Sequence, residues 1–392
     1  MSIKIAFDFD GVCTDLSYIS EQLVDADEYL YSPFSISISK PRKGILELIS
    51  IFGLFADLSI ITSRPVDDQS FVKDWLSKNQ LSSFFENIYC SGDVLKSEIM
   101  EQHGIVLLVD DNPDKIKFLT DKFNGILWNK QTWIELAKEI FNFLITSSNA
   151  TLKINANLIL REVKYLTDLG SSQVFILLFS DNTILKLRVC LNDEVKQRVI
   201  KFLGTTTRNN YNHVARLIAE NGLAILKSFI EGNLISTFGD SERLIYIAKA
   251  GSALAKLHSI KIDKSISDLK FNLNETSETL LVFSADNYNM IVTTENEVAF
   301  IDLEACNSGS RWIDFYWSEF LLCENEQERK ALAEGYFAIY KGDKATEEEL
   351  KMAKLNYKLW VTYQLQNSKL THSGDAQKNK IISDIFLSIW KK

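Results

Sequence analysis

The sequence is short of the residues that staple, break or anchor a chain. Only five of its 392 residues are cysteine, and Cys13, Cys90, Cys190, Cys306 and Cys323 are odd in number, widely spaced and form no CxxC pair. That excludes a disulfide framework and a zinc site built on cysteine pairs, and it reads as the reduced thiols of a cytoplasmic protein. Four prolines leave little room for Pro-rich arms, and there is no fixed-period repeat or low-complexity tract. No apolar run approaches the roughly 18 residues that span a bilayer. The amino terminus enters a strand at Ile3 without a basic and then apolar leader, so neither secretion nor membrane insertion is expected. No dense Lys/Arg run exists either, and a nucleic-acid partner is not expected.

What remains is an ordinary soluble composition, 46% apolar and 24% charged, on a chain long enough for two or three domains. The net charge of −9 is uneven: the first 147 residues hold 22 Asp and Glu against 13 Lys and Arg, and the remainder is balanced at 30 against 30. The charge step coincides with Thr146-Ser-Ser-Asn-Ala-Thr151, a small, polar, unpatterned stretch that reads as a linker.

Before the linker, short apolar strands at Ile3 to Phe9, Leu58 to Ile61 and Ile105 to Val109 alternate with amphipathic helices at Gly44 to Phe52, Phe71 to Leu81, Lys115 to Phe123 and Trp133 to Leu144. The alternation predicts an α/β domain with a parallel, doubly wound sheet over residues 1–147. After the linker, strands at Val174 to Phe179 and Thr183 to Val189 form a hairpin about Ser180-Asp181-Asn182. Helices at Asp193 to Leu203 and Asn212 to Ala219, a strand at Ala224 to Ile230 and a helix at Ser241 to Leu257 follow. Then come strands at Asn289 to Thr293 and Val298 to Asp302 and a helical tail from Asp314. This is an α+β pattern over residues 152–392, with Lys227-Ser-Phe-Ile-Glu231-Gly232 as a hinge between a small lobe (about 152–232) and a large one (about 233–392). The aromatic run Trp312 to Trp317 has helical spacing and reads as core.

Asp8-Phe-Asp10-Gly-Val places two carboxylates, two residues apart, at the carboxyl end of the first strand, the edge at which open parallel sheets bind ligands. Such a pair is tolerable when a divalent cation bridges it. A second strand ends at Thr62-Ser-Arg64-Pro65, a third at Asp110-Asp111-Asn-Pro113, and Lys96 lies 14 residues before Asp110 in the intervening helix. The four pieces, in this order, resemble the motifs of the haloacid dehalogenase superfamily of phosphohydrolases over residues 1 to about 145. The resemblance implies a Rossmann-like fold in which Asp8 attacks phosphorus to form an aspartyl-phosphate, while Asp10 serves as general acid and then base. Thr62 and Lys96 would hold the phosphoryl oxygens, and Asp110, with Asp8 and the Asp10 carbonyl, would hold Mg²⁺. Asp111 is either a further metal ligand or an orienting partner of Lys96. Arg64 either touches a substrate group beyond the phosphate or is a surface arginine. Only about residues 16–40, with Tyr18, Tyr29, Tyr31 and Phe34, are available for a cap. A lid this small suits a bulky substrate, or a pocket completed by the second domain or by another copy in a homo-oligomer.

In the second part, a Gly170-Ser171-Ser172 turn is followed by Lys186 on an otherwise apolar strand, where burial is costly unless the ammonium reaches solvent or meets anions. Glu194 on the next helix is its candidate partner. Downstream come Leu-Ala-Lys-Leu-His258, Asp286-Asn-Tyr-Asn289, Ile301-Asp302-Leu-Glu304 and Arg311-Trp-Ile-Asp314. Their order resembles the aminoglycoside phosphotransferase and choline kinase branch of the protein-kinase-like fold, over about residues 155–390. The resemblance implies a bilobal nucleotide site for ATP or another NTP, with Lys186, Glu194, Ser171 and Glu231 on the nucleotide side. Asp286 would accept the proton of the attacking hydroxyl, and Asn289 and Asp302 would hold Mg²⁺. The sequence departs from the family at Ser284, where a histidine is expected, and at Asn289, which stands three rather than five residues after Asp286. His258, at a helix end, reads as a packed, hydrogen-bonded residue.

The two resemblances together predict a bifunctional cytoplasmic enzyme. One domain would hydrolyse a small phosphorylated metabolite; the other would phosphorylate a hydroxyl, at a different position, of a sugar or amino-alcohol such as a surface-polysaccharide precursor. The alternative is a phosphatase or nucleotidase with a non-catalytic nucleotide-binding domain.

Overall fold

The computed structural model describes residues 3–16, 32–119, 122–146, 159–166, 173–260, 262, 279–282, 285–303, 306–351 and 355. The chain forms two compact units, Met1–Lys196 with Leu217–Phe229, and Gln197–Arg216 with Ile230–Lys392.

In the first unit, β1 (Ile3–Phe7), β2 (Ala56–Thr62), β3 (Phe85–Cys90), β4 (Leu107–Asp110) and β5 (Asn124–Leu127) form an all-parallel sheet in the order β3-β2-β1-β4-β5. Helices cover it: α1 (Pro33–Ile38), α2 (Ile45–Phe52), α3 (Gln69–Lys78), α4 (Lys96–His103), α5 (Pro113–Lys117) and α6 (Trp133–Thr146). Its central strands are buried along their length, Ile5, Ala6 and Phe7 beside Leu58, Ile60 and Ile61 and beside Leu107, Leu108 and Val109, as strands covered on both faces must be. The order reverses between β1 and β4, so the crevice at their carboxyl ends is the switch point where ligands bind in sheets of this kind. Two strands of this sheet lie outside the expected ones: β3 is an edge strand carrying Glu86 and Asn87 in place of an apolar run, and β5 begins directly after the helix expected over Lys115 to Phe123. The helix expected over Lys115 to Phe123 stops at Lys117; β5 then runs so close to it that a Cβ on Gly125 would overlap Leu119 and Ile116.

The same unit contains an antiparallel sheet of β6 (Leu160–Leu166), β7 (Gln173–Phe179), β8 (Ile184–Val189), β9 (Leu217–Asn221) and β10 (Ala224–Ser228), in the order β9-β10-β8-β7-β6. The helix expected over Asn212 to Ala219 is not there. Its second half is the edge strand β9, turned into β10 by Asn221-Gly222 with Gly222 at φ +49°, a tight-hairpin signal that outweighs the apparent helical spacing. Two sheets share one apolar core: Phe141 of α6 lies 5.0 Å from Phe52 of α2 and 5.7 Å from Phe175 of β7, and Leu177, Leu187 and Leu226 join Leu48 and Ile49. The strands expected as the small lobe of the second domain therefore pack in one body with the parallel sheet. Helix α7 (Asp193–Arg208) begins in this unit and ends in the other.

The second unit is built on α8 (Asp240–His258), α9 (Arg311–Leu322) and α10 (Glu326–Ile339). α8 and α10 approach backbone to backbone: a Cβ on Gly251 would overlap the Leu332 carbonyl and one on Gly335 the Ala248 carbonyl. Beside them lie a three-stranded sheet, β11 (Gly232–Leu234), β13 (Met290–Thr293) and β14 (Val298–Phe300), and a two-stranded ladder of β12 (Thr279–Leu281) with β15 (Asn307–Gly309). Trp312, Phe315 and Trp317 are buried, and Trp312 and Phe315 pack on Tyr336. Among the described residues, no helix is long and apolar enough to cross a membrane.

Candidate active site

The switch point of the parallel sheet gathers most of the expected residues of the first domain. Asp8 follows β1, with its N–H donating to the Val109 carbonyl at 2.8 Å, and Asp110 ends β4. Lys96, at the first position of α4, puts its Nζ 2.7 Å from Asp8 Oδ1 and 2.7 Å from Asp110 Oδ2. Both carboxylates and the lysine are buried, so the shared ammonium offsets charges that could not otherwise stand together. Asp110 also accepts the Asn112 N–H at 2.9 Å.

Burial pushes the Asp8 carboxyl up to about 7; Lys96 pulls it down, and Asp110 and Asp10 push it further up. Burial alone would depress the Lys96 ammonium, yet Asp8 and Asp110 leave it above its ordinary value. The site thus holds more negative charge than one lysine neutralises. Asp8, Asp110 and Asp111 each offer an oxygen within 4.8 Å of the others. Asp8 Oδ1, though ion-paired to Lys96, accepts no aligned hydrogen bond. An under-satisfied buried oxygen among three hard donors fits a small divalent cation such as Mg²⁺. Asp111 is half-buried, and burial and Asp110 raise its carboxyl, while the Lys96 ammonium is ion-paired to Asp8 and Asp110.

After Asp8 the chain makes one wide turn, Phe9–Cys13, which contains Asp10 and in which the Thr14 N–H returns to the Phe9 carbonyl and Gly11 takes φ +77°. A Cβ on Gly11 would overlap the Asp111 carboxylate, so glycine is needed twice over, for conformation and for space. The turn is fastened by a residue that stands outside every motif. Arg42 donates to the carbonyls of Gly11, Trp128 and Asn129, and its guanidinium lies 4.0 Å from the centre of the Trp128 ring. No local motif marks Arg42, because its partners are up to 87 residues away.

Thr62 ends β2, and its hydroxyl donates to Asp10 Oδ2 at 3.3 Å. Arg64 does not lie at the surface: it is buried, with Nη2 2.7 Å from Asp10 Oδ1 and Nε 2.9 Å from Oδ2. Of the small cap, Tyr18, Tyr29 and Tyr31 lie outside the described residues, Phe34 on α1 is exposed, and Thr14 and Asp15 pair with Pro41 and Lys40.

The residues expected to handle nucleotide are spread over both units. Lys186 is half-buried on β8, directly across from Lys227 of β10, and Glu194 is exposed in the first turn of α7. An ion pair from α7 to the sheet is made by Lys196 with Glu220, 2.7 Å. Glu231 is exposed in the second unit, and Ser171 lies outside the described residues. In the second unit the Ile301 N–H donates to the Asn289 carbonyl, so the β13–β14 ladder brings Asn289 and Asp302 to the same end of one hairpin. Asp286 accepts from the N–H groups of Tyr288 and Asn289 and from Asn289 Nδ2, at 2.8, 2.8 and 3.0 Å. His258 is buried, facing the Tyr336 hydroxyl at 2.7 Å through Nδ1 and Asp314 Oδ2 at 3.1 Å through Nε2, while Asp314 also accepts the Val282 N–H.

No family model and no curated protein matches the chain. Among solved structures it is similar to an ADP-bound aminoglycoside phosphotransferase, at 17% identity and TM-score 0.43 over 63% of this chain and 96% of the other. It is also similar to choline kinase LicA from Streptococcus pneumoniae (12%, TM-score 0.45, 65% and 99%) and to a Plasmodium vivax ethanolamine kinase (13%, TM-score 0.44, 71% and 95%).

Proposed function

We propose that the first unit is a Mg²⁺-dependent phosphomonoester hydrolase of the haloacid dehalogenase type. The observation that carries this reading is Lys96 held between Asp8 and Asp110 at the switch point of the sheet, with Asp111 beside them. Asp8, Asp110 and Asp111 would hold Mg²⁺, which when bound supplies positive charge to the phosphoryl oxygens and keeps Asp8 ionised. An Asp8 oxygen attacks phosphorus as the ester P–O bond breaks, and Asp10 gives its proton to the departing alkoxide. Water then attacks phosphorus, Asp10 takes its proton, the bond to Asp8 breaks and inorganic phosphate leaves. Lys96 and Thr62 would neutralise and orient the phosphoryl oxygens. The substrate class is a small phosphorylated metabolite. Phosphate release from a panel of phosphomonoesters with Mg²⁺ tests the reading: it is expected from the wild type and not from Asp8→Asn, and a wild type inert to the panel overturns it.

For the second unit we infer a nucleotide-binding role of the phosphotransferase type, with Asn289 and Asp302 as metal ligands and Glu231 on the nucleotide side. The shared end of the β13–β14 hairpin supports it. In a full transfer, a substrate hydroxyl would attack the γ-phosphorus of ATP, ADP would leave, and Asp286 would take the hydroxyl proton. The three hydrogen bonds that Asp286 accepts inside its own turn favour binding without transfer. ATP consumption in the presence of a hydroxyl substrate, lost in Asp286→Asn, would decide for transfer.

A further inference from the structure

We propose that Arg64 is the positioning residue of Asp10, a role that rests on the hydrolase reading above. A guanidinium carries five N–H donors in one plane, and the protein offers an acceptor to each. Nε and Nη2 fork the two Asp10 oxygens at 2.9 and 2.7 Å, and Nη2 also donates to Ser35 Oγ at 3.1 Å. Nη1 donates to the Ser32 carbonyl at 3.2 Å and to Asp68 Oδ2 at 3.5 Å. One face of the group stands 5.8 Å from the centre of the Phe9 ring, and the side chain is buried. A guanidinium so engaged has no donor left for a substrate. What it does instead is fix the plane and rotamer of Asp10, because a parallel fork admits one relative orientation where a single point contact admits many. Thr62 bonds the same Oδ2, so Asp10 is held from two sides.

The other half of the clamp reaches the cap. Ser32 is the residue before α1 and Ser35 lies in its first turn, so Arg64 links the placement of Asp10 to the seating of α1 on the site. General acid and base transfer demands that the carboxylate stand at the bridging oxygen when the P–O bond breaks, and displacement of about 1 Å costs of the order of 10²-fold in rate. The geometry therefore assigns Arg64 to kcat, not to substrate affinity, with its largest effect where the leaving group most needs a proton.

The test compares p-nitrophenyl phosphate, whose leaving group needs no proton, with an alkyl phosphate whose leaving group does, in the full chain with Mg²⁺. Arg64→Lys keeps the charge but cannot fork both oxygens. It is expected to melt near the wild type and to lose about 10²-fold in kcat on the alkyl ester, with KM unchanged and a much smaller loss on the aryl ester. Arg64→Gly is expected to regain activity on the alkyl ester when guanidinium ion is added, and Ser35→Ala, which removes one brace and leaves the ion pair, to show a weaker form of the same selective loss. A raised KM with kcat retained overturns the proposal in favour of substrate binding. Equal losses on both esters without guanidinium rescue overturn it in favour of a merely structural role. A wild type inert to both esters overturns the hydrolase reading and this role with it, an outcome distinct from the other two.

Discussion

Asn221 donates its side-chain amide to the Ser50 carbonyl at 3.0 Å, across 171 residues of chain. With a second bond at 3.2 Å to the Ile49 carbonyl, which also accepts the Gly53 N–H, it ties down the last turn of α2. Next to it Gly222 approaches Ser50 so closely that a Cβ would overlap the hydroxyl, which already bonds the Leu223 N–H. The turn of one sheet is thereby the cap of a helix belonging to the other, and the two share a core.

This junction predicts a shared stability. Asn221→Ala loses two hydrogen bonds to partly buried carbonyls, a cost of about 1–2 kcal/mol. Gly222→Val adds strain at positive φ and an overlap, and costs more, about 3 kcal/mol. In urea, fluorescence and hydrogen exchange of the parallel sheet are expected to shift together with those of the antiparallel sheet in each variant. Separate transitions, with only the antiparallel sheet affected, would refute a common body.

Gly11→Ala is expected to harm the candidate site more than the fold. The added methyl meets Asp111 and the residue must keep φ +77°, so either the turn or Asp111 moves. Hydrolysis is expected to fall by about 10²-fold or more, and the rise in melting temperature on adding Mg²⁺ to shrink. A variant with unchanged Mg²⁺ response would show that Asp111 takes no part in cation binding.

Much of the site was legible because its acids lie at strand ends within local motifs: Asp8, Asp10, Thr62, Lys96, Asp110 and Asp111 are brought within reach of one another as the strand pattern predicts. What stayed hidden depends on distant partners. Arg42 has no motif, and the partners of Arg64 are set by how β1, β2 and α1 pack. The edge strand β3 carries polar residues and lacks a continuous apolar run, and the hairpin at Asn221-Gly222 overrides the helical spacing of the residues before it. The linker at Thr146 marks a change in charge, yet cohesion follows the apolar faces of α2 and α6, which no charge count reveals.

For the second unit, Asp302→Ala is expected to abolish the rise in melting temperature produced by ATP with Mg²⁺, while Asp8→Asn leaves it intact. An ATP shift that survives Asp302→Ala would remove Asp302 from the nucleotide site. A shift lost in Asp8→Asn would place the nucleotide in the first unit.

Acidification is expected to weaken the second unit through His258. Burial holds this imidazole below its ordinary value against the pull of Asp314, so the folded chain keeps it neutral where the unfolded chain, near 6.5, takes up a proton. The unfolded state binds more protons in that window, so the stabilisation is complete above about pH 6.5 and declines as the pH falls toward the depressed folded value. His213, also lowered by burial, adds in the same direction. Melting between pH 8 and 5 is expected to show this slope. His258→Gln should be less stable at pH 8 by about 1–3 kcal/mol, with a flatter dependence on pH. An unchanged slope would mean that His258 takes up its proton alike in the folded and unfolded states.

Asp8 is the proposed nucleophile, and trapping the covalent intermediate shows whether it is. The full chain is mixed with Mg²⁺ and a phosphomonoester that it hydrolyses, quenched in acid, digested and examined by mass spectrometry. One phosphoryl group is expected on the peptide that contains Asp8, sensitive to hydroxylamine as an acyl phosphate must be, and absent from Asp8→Asn. A phosphoryl group on any other residue, or hydrolysis that continues undiminished in Asp8→Asn, would contradict it.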